Sequence, residues 1–513
     1  MTASRTSKTL QNARVEALCY LLSLFVSFFS RRIFLDHLGA EFLGYTGTVG
    51  SILSFLNIAE LGISGAVSMV LYKPLFDQNQ RQISEIISLL GYLYRFVGLF
   101  IGGAGVLVSF FLPWIFPSAP CSFGLLYLGY YAYLFATLLS YFVNYHAVLL
   151  TADQRNYIVS GYYQAAYTLK VLLQCLVALF WADIALFFLL EVAFGLIYAV
   201  ILRVRIRQYY PWLQADASQG RTLAPAYPQL IHKVRQVFAH RIGGFVQFQS
   251  ASLFVYAFVS LPMVALYGNY MLVSGSLRTF LQNVLSSMSA SIGNLVAEGE
   301  TEHALSVYFE LLSFRFCIAG IFSACLYWLL PDFIVLWVGP QYLLSSRIVL
   351  LIAIHLFLCI AREATEDFLN AYGLVQDVWS PAVESVVFVS ASLLFGYLWG
   401  LEGVLLGPIL SLLLVIYTWK PYFLFTRGFH RSLVTYCSRT LLYLLLLGLA
   451  LLLTYQMFHQ LIIYGMYFTK SWAGWLLKSL CHFSLITLFT LLLYTLFLPE
   501  FRHFLHRFRH LNP

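Results

Sequence analysis

Apolar runs of about twenty residues recur along the whole chain, separated by short polar connections, and that repetition leaves few folds open. A helix rising about 1.5 Å per residue needs roughly 20 apolar residues to cross a hydrocarbon core of about 30 Å. The other spanning solution, a closed barrel of short alternating strands, does not fit runs this long and continuous. Of the 513 residues, 60% are hydrophobic and 10% charged, against about 25% charged in a soluble protein. The expectation is an all-α polytopic membrane protein of about fourteen transmembrane helices. They fall near residues 15–38, 42–70, 86–116, 122–150, 157–180, 184–202, 236–260, 263–297, 305–330, 346–372, 379–398, 403–425, 438–458 and 472–497.

The formal net charge of +8 suggests nucleic acid until its distribution is considered. The basic residues gather in alternate connections, among them Lys73, Arg81, Arg155, Arg203, Arg205, Arg207, Arg221, Lys420, Arg427 and Arg431. The intervening connections hold little beyond Arg347 and Lys470. That asymmetry is a topology signal placing both termini in the cytoplasm, and nucleic acid is not an expected partner. Eight cysteines, at 19, 121, 175, 317, 325, 359, 437 and 481, lie mostly within apolar runs with no CxxC spacing. They read as small packing residues, with Cys121 in an outer loop the exception. The polar start runs straight into a full-length span, so no cleaved signal peptide is expected. No Walker P-loop, GxSxG or HExxH occurs, so the expectation is a protein that is not an enzyme and carries no cofactor.

The order of features repeats. Gly44-Tyr45 opens a long span, the polar stretch Lys73-Pro74 to Gln82 follows, and the next span ends at Pro113-Trp114-Ile115-Phe116. Later, Gly268-Asn269 opens a long span, Glu298-Gly299-Glu300-Thr301-Glu302 follows, and the next span ends at Pro331-Asp332-Phe333-Ile334. Thr151 to Tyr157 likewise parallels Tyr372 to Asp377. Parallel six-span repeats are a known route to alternating access, with substrate held between the halves. The expected organisation is a six-helix lobe over 1–203, a basic cytoplasmic linker over 204–235 and a second six-helix lobe over 236–425. Two extra helices and a basic tail over 426–513 complete it. The start of the linker, Arg203 to Leu213, reads as a basic amphipathic segment on the inner surface.

Lys170, Arg278, Arg315 and Arg362 stand mid-way along four different spans. A charge at that depth is costly and normally faces the bundle interior, a partner or water. A cationic cavity for an anionic substrate is the sharper reading, since an arginine fork matches phosphate oxygens. The plainer reading is a set of buried ion pairs, for example Arg315 with Glu310. Arg31 and Arg32, near the outer end of the first span, are substrate contacts at the outer mouth or interfacial anchors paired with Asp36. Arg95 and Arg241 occupy related places near the inner ends of their spans and are read as substrate contacts or snorkelling anchors. The stretch Arg362-Glu363-Ala364-Thr365-Glu366-Asp367 is unusually polar for a span. Arg362 and Glu366 can pair across one turn. Glu363 and Asp367 are like charges so placed, which suggests a proton or Na+ coupling site built from Glu363, Glu366 and Asp367, with Glu60 a further candidate. Glu60, Glu191 and Glu384 read more simply as cavity-lining or hydrogen-bonded acids. His503, His506 and His510 lie on one face of the tail, which fits a basic amphipathic helix at the inner leaflet better than a metal site.

The stretch Phe28-Phe29-Ser30-Arg31-Arg32-Ile33-Phe34-Leu35-Asp36-His37-Leu38-Gly39-Ala40-Glu41-Phe42-Leu43-Gly44 carries a family likeness. So do Asn57-Ile58-Ala59-Glu60-Leu61-Gly62-Ile63 and Leu71-Tyr72-Lys73-Pro74-Leu75. Together they resemble the polysaccharide-transporter flippases, for O-antigen or capsule, of the multidrug/oligosaccharidyl-lipid/polysaccharide exporter (MOP) superfamily. The likeness is sharpest over about the first 120 residues and is elsewhere one of topology and repeat. It implies translocation of undecaprenyl-pyrophosphate-linked oligosaccharide units across the bacterial inner membrane, with polysaccharide polymerase and assembly proteins as further partners. A cation-coupled multidrug exporter of the same superfamily would favour an acidic cavity. A membrane polysaccharide polymerase or transferase would favour a large outer loop, and the outer loops here are short.

Overall fold

The computed structural model describes residues 5–510 except for 61, 118–120, 231, 233, 235–249, 287–288, 375–376, 378 and 464–469. Among the described residues every regular element is helical, and 11 helices are long and apolar enough to cross a membrane. Side chains such as Trp114 and Tyr397 are 77% and 80% exposed, an arrangement that suits lipid contact. The chain is a multi-pass membrane protein.

The difference between eleven such helices and about fourteen expected spans has local causes. The first two expected spans lie largely in one helical stretch, Arg5–Leu56, interrupted only at Gly39 with φ 88° and ψ 163°. That backbone conformation is open essentially only to glycine. The second span then breaks at a 3-10 turn, Asn57–Glu60, before the short helix Ile63–Phe76. The expected 236–260 span falls largely on residues outside those described. The Leu261–Leu285 helix has 25 residues but is not among the eleven sufficiently apolar helices.

The chain divides into two compact units. The first comprises Met1–Tyr256 with Ser260–Ala265. Its Asn156–Phe180 helix packs along Arg5–Leu56, joining Val26, Val171 and Cys175 in one apolar cluster. A hydrogen bond of 2.6 Å from Ser23 Oγ to Gln164 Oε1 ties the same pair of helices. Phe123–Phe142 packs on Ile184–Tyr209, and Asp183 caps the latter through the amides of Ala185 and Leu186. Tyr45, fully buried, donates to Leu126 O at 2.5 Å. The basic run Arg203–Arg207 continues the Ile184–Tyr209 helix rather than forming a separate surface segment. The following loop folds back over Gln80–Ile115, with Asp216 N donating to Ser88 Oγ at 2.9 Å and Tyr227 Oη to Glu85 at 2.8 Å. Ser218 donates to Asp216 through both amide and hydroxyl, which holds that exposed carboxyl below its ordinary range.

The second unit comprises Ala257–Val259 with Leu266–Pro513. Its longest helix, Thr301–Trp337, has 37 residues and carries Pro331 near its end, as the 36-residue Gln80–Ile115 helix carries Pro113. These are the two prolines that the sequence places at corresponding span ends. Trp379–Trp399 and Leu401–Ser411 form a tight hairpin through Gly400. An added Cβ at Gly403 would sit 1.8 Å from Phe395 O and one at Gly407 1.9 Å from Ser392 Oγ. This GxxxG spacing brings the two helices into near backbone contact. Tyr308, fully buried, meets the rings of Phe309, Phe368, Phe425 and Phe429.

The two appended helices, Leu433–Ile463 and Trp472–Phe497, pack on Thr301–Trp337 and on each other. Trp475 Nε1 donates to Leu329 O at 3.1 Å, and Lys478 Nζ lies 2.5 Å from Asp332 Oδ2. The tail helix Pro499–His510 packs on the Thr301–Trp337 helix. Phe501 and Phe504 are 1% and 6% exposed, and Phe504 stacks on Phe314 with centroids 4.5 Å apart. Phe501 and Phe504 are covered by protein, so the tail is a docked strap.

Candidate functional site

Each unit contains a charge site built across helices. In the first unit, Tyr163, Tyr167 and Lys170 recur on one face of Asn156–Phe180, and Glu191, Gly195 and Tyr198 on one face of Ile184–Tyr209. Where the two faces meet, Lys170 Nζ lies 2.7 Å from Glu191 Oε1 and 2.8 Å from Oε2. Gln174 Nε2 adds a longer contact of 3.4 Å to Glu191. Lys170 Nζ also sits over the Tyr167 ring, 5.1 Å from its centroid.

This pair lines a cavity of about 320 Å³, walled further by Asn57, Tyr133, Tyr141 and Asn144. Lys170 and Glu191 are the only charged side chains in the wall among the described residues. Tyr141 Oη donates to Asn57 Oδ1 at 3.1 Å. Asn144 Oδ1 is buried with no hydrogen-bond partner among the described residues. The sequence singled out Lys170 as a mid-span cation and Glu191 as a cavity-lining or hydrogen-bonded acid, without pairing the two. Tyr163 and Tyr167 stand at i and i+4 ahead of Lys170 at i+7, and Tyr198 stands seven residues after Glu191, spacings that put each set on one helix face.

In the second unit, Arg315 is 3% exposed and pairs with Asp367 at 3.0 Å. Glu310 is instead paired with Arg507 of the tail at 3.2 Å. Five residues turn a helix by about 500°, which puts Glu310 and Arg315 well apart around the axis and rules out the expected pairing of those two. Arg362 lies 3.5 Å from Glu366 and 3.8 Å from Glu384. Glu363 accepts from Gln282 Nε2 at 2.5 Å. Arg278 stands one turn before Gln282 on the same helix. Glu363 and Asp367 therefore each have their own partner on a different helix.

The stretch from Arg362 to Asp367 is a separate helical segment, Glu363–Ala371, following Ser346–Ala361. Its Glu363, Thr365 and Asp367 bond to Gln282, Tyr308 and Arg315 on neighbouring helices. Close by, His355 Nε2 and Cys359 Sγ are 3.5 Å apart.

The other candidates are placed as follows. Arg31 donates to Ala265 O at 2.8 Å and so holds the start of the Leu261–Leu285 helix. Arg32 pairs with Asp36 at 3.6 Å, with both side chains well exposed. Glu60 accepts from Tyr94 Oη at 2.7 Å and Ser64 Oγ at 2.8 Å. Arg95 is exposed on Gln80–Ile115, and Arg241 lies outside the described residues. Among the described residues no group of three or more His, Cys, Asp or Glu side chains is arranged to hold a metal ion.

No protein-family profile and no curated protein matches the chain. Solved structures do match. One is the lipid II flippase MurJ in an inward closed conformation, with TM-score 0.60 and 12% identity over 93% of this chain and 98% of that one. A second is a multidrug resistance MATE family transporter of the MOP superfamily in an inward-facing conformation. It has TM-score 0.59 and 12% identity over 79% of this chain and 93% of that one. A third is a mutant of the Vibrio cholerae MATE transporter VcmN, with TM-score 0.50 and 14% identity over 83% of this chain and 98% of that one. Identities this low speak to architecture alone, and on that ground the chain has a MurJ/MATE-like transporter fold.

Proposed function

We propose that this protein is a flippase carrying undecaprenyl-pyrophosphate-linked oligosaccharide units across the bacterial inner membrane, with both termini in the cytoplasm. The observation that carries this reading is the pair of cross-helix charge sites, Lys170–Glu191 in one unit and Arg315–Asp367 with Arg362–Glu384 in the other. Charges are kept inside apolar spans where they serve a pathway or a binding step. Phosphate oxygens of the lipid-linked head take the places of Asp367 and Glu366 on Arg315 and Arg362, with Arg278 nearby on the Leu261–Leu285 helix. Neutralising those acids, by a proton or by Na+, frees the arginines, and so gives the head a driving force to bind or leave. The fold shared with a lipid II flippase supports transport of such a lipid. Polysaccharide polymerase and assembly proteins are the partners that would consume the exported unit.

The test is extraction of lipid-linked intermediates from a deletion strain, with the glycan identified by mass spectrometry. Complete undecaprenyl-pyrophosphate units accumulating on the cytoplasmic side support the flippase. Shortened units indicate a transferase, complete units on the outer side a polymerase, and unchanged intermediates a drug exporter. That last alternative has one observation in its favour. The acids Glu363, Glu366, Asp367 and Glu384 outnumber Arg278, Arg315 and Arg362 in the second unit, as a cation-coupled exporter would require.

A further inference from the structure

We infer that the cavity in the first unit is a carbohydrate subsite, taking a neutral sugar ring of the cargo rather than its pyrophosphate. The inference rests on the flippase reading and assigns one part of the cargo to one part of the chain.

Charge is the first argument. Lys170 and Glu191 are the only charged groups in the wall among the described residues, and Lys170 contacts both carboxylate oxygens. The cavity therefore has no net charge to offer. A diphosphate entering it would have to displace Glu191 and leave that carboxylate uncompensated at membrane depth. A cationic ligand would do the same to Lys170. A neutral ligand leaves the pair intact and can hydrogen-bond to its remaining lone pairs and protons.

Hydrogen-bonding capacity is the second. Tyr133, Tyr163 and Tyr198 line the cavity, and their hydroxyls make no hydrogen bond among the described residues. Asn144 Oδ1 is buried there without a partner. Phenolic hydroxyls donate and accept, as sugar hydroxyls do, and a buried orphan acceptor is costly until something donates to it. Shape is the third. Tyr163 meets Tyr198 edge-on, with centroids 5.5 Å apart at 78°, and lies nearly parallel to Tyr167 at 6.3 Å and 17°. Such a wall presents flat apolar rings with polar tips, the surface on which the C–H face of a pyranose packs. About 320 Å³ is at the small end of ligand pockets, room for a sugar ring and not for a whole lipid-linked head.

The test uses the full chain in lipid nanodiscs, which avoids maltoside detergents that would compete. Saturation-transfer difference NMR is run with maltose, lactose and N-acetyllactosamine, and inorganic pyrophosphate is titrated calorimetrically. Saturation transfer to ring protons is expected, weakened roughly five- to tenfold by Tyr163→Ala or Tyr198→Ala, the size of one lost stacking or hydrogen-bonding contact. Tyr163→Phe, which keeps the ring, should weaken it less and covers the case in which an alanine variant fails to fold. Substitution of the exposed Tyr397 should leave it unchanged. Pyrophosphate binding should not respond to Lys170→Gln. The subsite is overturned if none of the three disaccharides receives saturation, if transfer survives all three Tyr163 and Tyr198 variants, or if Lys170→Gln abolishes pyrophosphate binding. Glycan export in the deletion strain reports on the flippase separately. A protein that exports glycan yet ignores neutral sugars loses only the subsite.

Discussion

Lys170 and Glu191, on consecutive helices, meet with the ammonium within 2.7 and 2.8 Å of both carboxylate oxygens. Neither charge is stable at that depth alone, so each specifies the position of the other. Lys170→Met should cost about 3–5 kcal/mol by stranding the carboxylate. Lys170→Met combined with Glu191→Leu should recover most of that loss, because an apolar pair of similar volume needs no partner. Thermal melts of the two variants in nanodiscs decide it, and a double variant as unstable as the single would show that the pair is not what the helices depend on.

Arg315→Gln removes the partner of Asp367 and should both destabilise the second unit and stop glycan export. Adding Asp367→Asn should restore abundance without restoring export, since only the arginine can grip phosphate in the proposed cycle. Export measured alongside membrane abundance separates the two effects. Normal export from an Arg278→Gln/Arg315→Gln variant would end the anionic-head assignment.

Gly403→Val places a side chain where Phe395 O already stands, its Cβ only 1.8 Å away. The helices must separate, at a cost of about 1–3 kcal/mol or more, and a marked fall in melting temperature is expected. Gly275→Ala is the matched comparison, since nothing lies within 4 Å of its added Cβ. There a helical alanine should gain about 0.5–1 kcal/mol. Equal behaviour of the two variants would count against the close helix contact.

Arg507→Ala should lower the melting temperature even though Arg507 is itself half exposed, because it leaves Glu310, 2% exposed, without its counter-charge. The cost of an unsatisfied buried group is about 1–3 kcal/mol. Glu310→Gln added to the same chain should return part of it. Differential scanning fluorimetry of the purified variants tests this. A tail variant that melts like the parent would mean the strap contributes nothing to the long helix beneath it.

The features the sequence made legible are those with a local cause. Apolar run length determines that helices cross a membrane, because an unpaired backbone group in lipid is too costly for any open alternative. The paired prolines Pro113 and Pro331, each near the end of a long helix, were visible for the same reason. Lys170, Arg315 and Arg362 stood out because a charge inside an apolar run has few explanations. Partners one turn away were legible, as Arg362 with Glu366 and Arg32 with Asp36, whereas partners on other helices were not. Glu191, Asp367 and Glu384 come from other helices, and whether an arginine reaches the acid five residues away or one 52 residues away depends on helix rotation and packing. Only the tertiary structure decided that Phe501 and Phe504 of the tail are buried by protein, and that the polar faces carrying Lys170 and Glu191 close around one cavity. A stripe declares that a face is buried, and the neighbouring helices determine what buries it.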